Sequence, residues 1–262
     1  MPFLFAGLST FSQPEAIVHE GEIGVSLGSS HYFGDLNNRS ALDLPQVSFG
    51  VFFKKQFGNY VALKVSAHQT SLGYSDILNS NRAPVQAIRN LSFATNLTEV
   101  AIQGDFNFFK YMPGNAAYPF TPYVTMGVGV FHFNPWTKLG GNKYYLQPLG
   151  TEGQGSNPYS LWSICLPFGM GIKYNIYKNI NLSAEVSYRY TTTDYLDDVS
   201  KTYPDLTALS PLAAQLSDRS YPAYGKLGIQ RGFSEQTDQY IIAEVGLSFS
   251  INSYKCAYRQ KP

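Results

Sequence analysis

Eight stretches of this chain alternate apolar and polar residues with strand period, and the connections between them are by turns long and short. The stretches are 21–30, 46–56, 60–71, 91–110, 120–132, 160–174, 180–193 and 239–252. In the fourth, Val100, Ile102, Phe106 and Phe108 oppose Glu99, Ala101, Gln103, Asp105 and Asn107. In the seventh, Leu182, Ala184, Val186, Tyr188 and Tyr190 share one face and Asn181, Ser183, Glu185, Ser187 and Arg189 the other. In the eighth, Ile241, Ala243, Val245, Leu247, Phe249 and Ile251 make one face. Long segments, 31–45, 72–90, 133–159 and 194–238, follow the odd strands; short ones, 57–59, 111–119 and 175–179, follow the even strands. Long and short connections therefore fall on opposite rims. A soluble sandwich can show the same alternation, but this rhythm of connections is that of a barrel inserted through a membrane.

The predicted fold is all-β: an eight-stranded antiparallel transmembrane β-barrel with short periplasmic turns and long extracellular loops. No run of eighteen apolar residues is present, so a membrane-spanning helix is not expected, whereas strands of about ten residues tilted by about 45° reach across the apolar layer. In hydrocarbon every backbone N–H and C=O needs a protein partner, so the eighth strand must close against the first around Ile23 to Leu27. Charged residues are 14% of the chain, against roughly 25–35% on a soluble surface. The 20 Tyr and 18 Phe suit strand faces and interfacial belts. A formal charge of +1 without a basic cluster gives no reason to expect nucleic acid.

Eight strands enclose room for side chains or one small ligand, not for a wide channel. Glu22, Lys64, Glu99, Asp105, Lys173, Glu185, Arg189 and Glu244 fall on the inward face and are expected to form a sealed ion-pair plug, with Lys64, Lys173 and Arg189 as the cations. A turn centred near Tyr177 places Gly169 opposite Glu185, leaving space for that side chain. Gly127, Gly129, Gly169 and Gly171 give two neighbouring strands a side-chain-poor face suited to curvature and large neighbours.

Chemistry-bearing patterns are sparse. His19, His31, His68 and His132 form no short ligand motif, and no HExxH, GxSxG, phosphate loop or dinucleotide fingerprint occurs. The chain reads as a non-enzyme without cofactor; a lipid-modifying site at one rim stays open as an alternative. The most distinctive stretch runs Thr193-Asp194-Tyr195-Leu196-Asp197-Asp198-Val199-Ser200, followed by Tyr203-Pro204-Asp205. Asp194, Tyr195, Asp197, Asp198 and Tyr203 form an extracellular signature loop, with turn-forming roles preferred and partner contact or calcium as alternatives. Residues 203–237 are expected to form a structured external cap containing a short helix, beside which loop 133–159, with Trp136, Tyr144 and Tyr145, packs or binds a protein. Cys165 and Cys256 give no disulfide framework. Residues 1–12 read as the end of a secretory signal without its basic region, 21–252 as the barrel, and 253–262 as a basic periplasmic tail.

In the order of these motifs, from Glu22-Ile23-Gly24-Val25 and Gly28-Ser29-Ser30-His31-Tyr32-Phe33-Gly34-Asp35-Leu36-Asn37 to the signature loop and the last strand, the sequence resembles the PorG-type outer-membrane proteins of the Bacteroidetes type IX secretion system. The resemblance implies a non-enzymatic structural or anchoring component, associated with a periplasmic ring formed by a lipoprotein and its partner protein. The system exports proteins bearing a C-terminal sorting domain and in many members supports gliding motility. The implied periplasmic contacts are the turns near Phe57–Asn59, Met112–Ala117 and Asn175–Asn179, and the tail from Lys255. A standalone barrel acting as a binding or adhesion module or a narrow pore is the alternative.

Overall fold

The computed structural model describes residues 17–79, 84–155 and 157–254. Eight long strands close into one barrel: β1 (Ile17–Phe33), β2 (Gln46–Phe57), β3 (Val61–Ser75), β4 (Ser92–Asn107), β5 (Phe120–His132), β8 (Trp162–Tyr177), β9 (Ile180–Thr191) and β10 (Gln239–Tyr254). Each pairs antiparallel with its neighbours in the order β1–β2–β3–β4–β5–β8–β9–β10, and β10 returns to β1 with Ile23 opposite Phe249 and Leu27 opposite Val245. No edge is left in the wall, which satisfies the backbone throughout. Two further short strands, β6 (Trp136–Leu139) and β7 (Asn142–Tyr145), make a hairpin inside the long connection after β5; the two-residue turn Gly140-Gly141, both at positive φ, turns it back. That hairpin was not expected from the sequence, because four-residue strands are too short to show a period.

The wall is inverted relative to a soluble protein. On the outer face Met126 is 71% and Leu27 62% exposed, while Lys64 is 2% and Glu99 0% exposed within. Such a continuous apolar exterior is stable only in lipid, so this is a membrane barrel of the outer-membrane type. Exposed aromatics gather toward both rims, Phe57, Phe108, Phe120 and Tyr177 at the short-turn end and Trp162 and Tyr190 at the other, as interfacial belts do. The first residues of β1 and the last of β10 meet at the short-turn rim, Ile17 opposite Tyr254. The expected leader 1–12 lies outside the described residues, as do Cys256 and residues 255–262 of the expected tail.

Toward the long-loop rim the polarity of the wall reverses. The inward positions Tyr32, Leu72, Tyr74, Phe93, Leu97, Phe131 and Ile242 become an apolar core with Leu36, Phe133, Leu196, Val199 and Leu216 from the loops. Outward positions at this end are polar and bonded across strands: Thr98 donates to Gln69 at 2.6 Å, Ser71 to Asn96 at 3.0 Å, and Ser163 pairs with Thr192 at 3.0 Å. A polar-in, apolar-out segment is thus continued by an apolar-in, polar-out one, which marks where lipid gives way to water.

One register differs from expectation. Gly171, not Gly169, stands opposite Glu185, and Gly169 faces Ser187. The β8–β9 turn is centred later, at Lys178-Asn179 with Lys178 at φ 40°, and a bulge between Asn175 and Tyr177 shifts the pairing.

Candidate functional site

Two polar assemblies distinguish the molecule: an ion-pair network inside the membrane-spanning wall and a carboxylate-rich cap above it. In the first, every second residue of each strand points inward, which brings charges of β1, β2, β3, β4, β8, β9 and β10 together. Lys64 Nζ lies 2.9 and 2.8 Å from the two oxygens of Glu185. The Tyr123 hydroxyl donates to the same carboxylate at 2.7 Å. Its ring occupies the space over Gly171, where a Cβ would come within 2.8 Å of ring carbons, so glycine at that position is required by the close approach. Asp105 Oδ2 is 3.0 Å from both Lys54 Nζ and Lys173 Nζ, and Lys173 also donates to Asn107 at 3.3 Å. Arg189 Nε lies 3.4 Å from Glu99, to which Tyr240 donates as well. His68 stands between Glu244 at 3.2 Å and Glu99 at 3.7 Å, Ser26 donates to Glu244 at 2.8 Å, and Ser248 donates to Glu22 at 2.9 Å.

All eight residues read from the sequence as inward charges therefore stand on the lumen side, and the three cations sit against Glu185, Asp105 and Glu99. Lys54 and His68 were missed. Lys54 shares its strand with Phe52 on the same face and precedes Lys55 on the outer face, which blurs the alternation there. His68 was legible: it is two positions from Ser66 and four from Lys64, on the same face.

The cap is tied together by two arginines. Arg89, which ends the short helix α1 (Pro84–Arg89), grips Asp76 with two bonds of 2.8 Å and donates to the backbone oxygens of Asp35 and Arg231. Arg231 pairs with Glu152 at 2.9 Å and donates to the carbonyls of Asp198 at 2.7 Å and Ser217 at 3.2 Å. Asp35 in turn accepts from the Phe233 N–H. All four long connections are thus locked to one another. The short helix expected between Leu206 and Leu216 is α2 (Pro211–Ser217), with Ser210 capping the Ala213 N–H and Pro211 at its first turn.

The signature loop is buried in this assembly. Leu196, Asp197, Asp198, Val199 and Ser200 are all inaccessible, and the Tyr195 ring stacks on Tyr159 with centroids 4.4 Å apart. Asp198 accepts from Thr151 and Tyr159, the latter at 2.7 Å. Burial raises its carboxyl to about 6 despite Arg231 beside it. Asp197 and Asp238 each accept a backbone N–H on one oxygen, from Val199 at 2.9 Å and Leu196 at 2.8 Å. Their other oxygens lie 2.5 and 2.8 Å from the Tyr32 hydroxyl. One hydroxyl carries one hydrogen, so one of these two carboxyls keeps its own proton. Both are held well above the ordinary carboxylate range, first by burial and then by neighbouring carboxylates. Asp194 is pushed up to about 8 by burial, with Asp35 and Glu152 adding to it. Among the described residues no group of three or more His, Cys, Asp or Glu side chains is arranged to hold a metal ion, and a carboxyl that keeps its proton is a poor calcium ligand.

A family model described as a domain of unknown function, DUF6089, matches residues 2–256. No curated protein matches. Among solved structures, Neisserial surface protein A superposes with a TM-score of 0.47 at 11% identity, covering 90% of this chain and 100% of that one. The N-terminal β-barrel domain of Pseudomonas aeruginosa OprF gives 0.39 at 13%, covering 89% and 100%. Ail, the attachment invasion locus protein of Yersinia pestis, gives 0.42 at 15%, covering 88% and 99%.

Proposed function

This chain belongs to the DUF6089 family, and from that premise and its geometry we propose that it is a non-enzymatic outer-membrane barrel that acts as a cell-surface binding module through its cap. The observation that carries the reading is the division of labour along the axis. The lumen is filled with paired charges, a poor conduit, whereas all four long connections are built into one ordered body beyond the membrane. In this orientation the short turns and both strand ends face the periplasm. Attachment of cells to a surface or to other cells is the test: deletion of the gene should abolish it and the wild-type barrel restore it, with an Arg231→Ala barrel of loosened cap failing to do so. Attachment independent of the gene would overturn the reading.

A second reading, a component of the type IX secretion apparatus that touches the periplasmic ring, is supported by the order of sequence motifs ending in the signature loop. That loop's buried side chains make it a device for building the cap, so ring contact falls to the short turns at Phe57–Asn59, Met112–Ala117 and Asn175–Asn179 and to the C-terminal tail. Cargo bearing a sorting domain should then accumulate in the periplasm of cells lacking the gene and be exported again on complementation. Normal export without the gene would remove this reading.

A further inference from the structure

A cavity of about 290 Å³ lies in the cap where the first, second and fourth long connections meet. Tyr203 lines it, is 1% exposed, and its hydroxyl makes no hydrogen bond to the protein; the side-chain oxygen of Gln86, also lining it, is likewise unpartnered. A buried hydroxyl and a buried amide oxygen without partners are costly in a folded protein, and two in one cavity wall mark it as built for something that supplies the missing bonds. The amide side chains of Asn38 and Gln230 stand exposed in the same lining. Two exposed aromatic rings, Tyr224 and Phe233, and the half-buried Asp35 also line it.

Charge narrows the chemistry. Arg89 and Arg231 border the cavity, but the first is held by Asp76 and the second by Glu152 and Asp198, so neither is free to take an anion. What remains is a wall of hydroxyl and amide groups next to aromatic faces, with one carboxyl, Asp35, that accepts the Phe233 N–H, repels an anion and is free to accept from a ring hydroxyl. Amide and hydroxyl groups exchange hydrogen bonds with ring hydroxyls, and an aromatic face receives the C–H face of a sugar ring. An apolar ligand would leave the polar groups unpaired, and an anion would find no unpaired cation. The volume sits near the small end of the roughly 300–1,000 Å³ range of ligand pockets, which suits one ring rather than an oligomer.

We infer that this cavity binds a neutral hexose unit of a surface glycan. The inference rests on the cap being the binding surface and names what it takes. Tyr203 and Gln86 hydrogen-bond ring hydroxyls from the floor, Asn38 and Gln230 from the sides, and Tyr224 or Phe233 stacks on the ring.

The test uses the full-length barrel in detergent micelles, titrated with the methyl glycosides of glucose, galactose, mannose and N-acetylglucosamine and read by saturation-transfer NMR. At least one glycoside should saturate. Tyr203→Phe should weaken it about tenfold, the scale of one buried hydrogen bond lost. That variant removes a hydroxyl the protein itself does not use, so the fold is kept; Tyr224→Ala, at an exposed ring, should also weaken binding with unchanged melting. Failure of all four glycosides to saturate, or saturation equal in wild type and both variants, overturns the inference. If gene-dependent attachment persists while sugar binding is absent, the hexose assignment falls and the binding-module reading stands. If attachment never depended on the gene, that reading falls on its own test, whatever the titration shows.

Discussion

At the scale of single residues, the lumen shows how a narrow barrel tolerates charge. Lys64 spends two of its three ammonium hydrogens on Glu185, which also accepts from Tyr123. The pair is worth little relative to a well-packed apolar replacement, but breaking one half strands the other in a dry interior. Lys64→Met should therefore destabilise the barrel by about 3–5 kcal/mol. The double variant Lys64→Met with Glu185→Gln should recover most of that loss, and Tyr123→Phe alone should cost no more than about 1.5–3 kcal/mol, a hydrogen bond to a charged group. Urea unfolding in lipid vesicles measures all three; strictly additive single and double effects would show that the two side chains are not coupled. These partnerships were legible as far as the period-2 rule reaches, since it assigns each residue a face. It does not say which cation meets which carboxylate, because that depends on register around the barrel, and Lys54 was hidden by the apolar Phe52 two positions away on its own face.

At the scale of elements, the strands follow from alternation and the register follows from turns, and only the first is readable over long segments. Gly171 stands in the place expected for Gly169 because the turn is centred at Lys178-Asn179 rather than at Tyr177, and the bulge at Asn175 to Tyr177 takes back one residue of that displacement in the pairing beyond it. The β6–β7 hairpin and the arginine clasps of the cap were not legible for a different reason: Arg89, Asp76 and Arg231 come from separate connections, and nothing periodic links them in sequence. The outer faces, by contrast, carry a simple rule. Along β2 the outward residues run Val47, Phe49, Val51, Phe53 and Lys55, with Lys55 at the short-turn rim and Val51 midway. Val51→Arg should cost about 2–4 kcal/mol, and Val47→Arg, nearer the water, at most about 1 kcal/mol. Equal costs at the two positions, measured by reversible unfolding in vesicles, would show that the apolar band is not centred on this stretch.

At the scale of the whole molecule, the cap and the spanning wall are two bodies on one set of strands, and protons should act on the cap. Asp197 and Asp238 share the Tyr32 hydroxyl and sit well above the usual carboxylate range, Asp194 is raised to about 8, and Asp35 and Asp198 are each raised to about 6, burial being the first cause in every case. Arg89, Arg231 and Glu152 face the same cluster, the arginines opposing these rises and Glu152 adding to them. A carboxyl raised in the folded cap keeps its proton there after the opened chain has lost it. Between about pH 4 and the folded values the folded state therefore binds more protons, and stability falls as pH rises. The cap should be tightest in mild acid and loosen progressively from about pH 4 toward pH 8, without unfolding the barrel beneath it. Hydrogen exchange at residues 194–200, corrected for the intrinsic pH dependence of amide exchange, measures the opening directly. Asp238→Asn, which supplies the uncharged partner at every pH, should flatten the profile and leave exchange in the strands unchanged. A cap whose opening free energy is the same at pH 5 and pH 8 would mean that the shared proton contributes nothing to holding the connections together, and that the two arginine clasps do so alone.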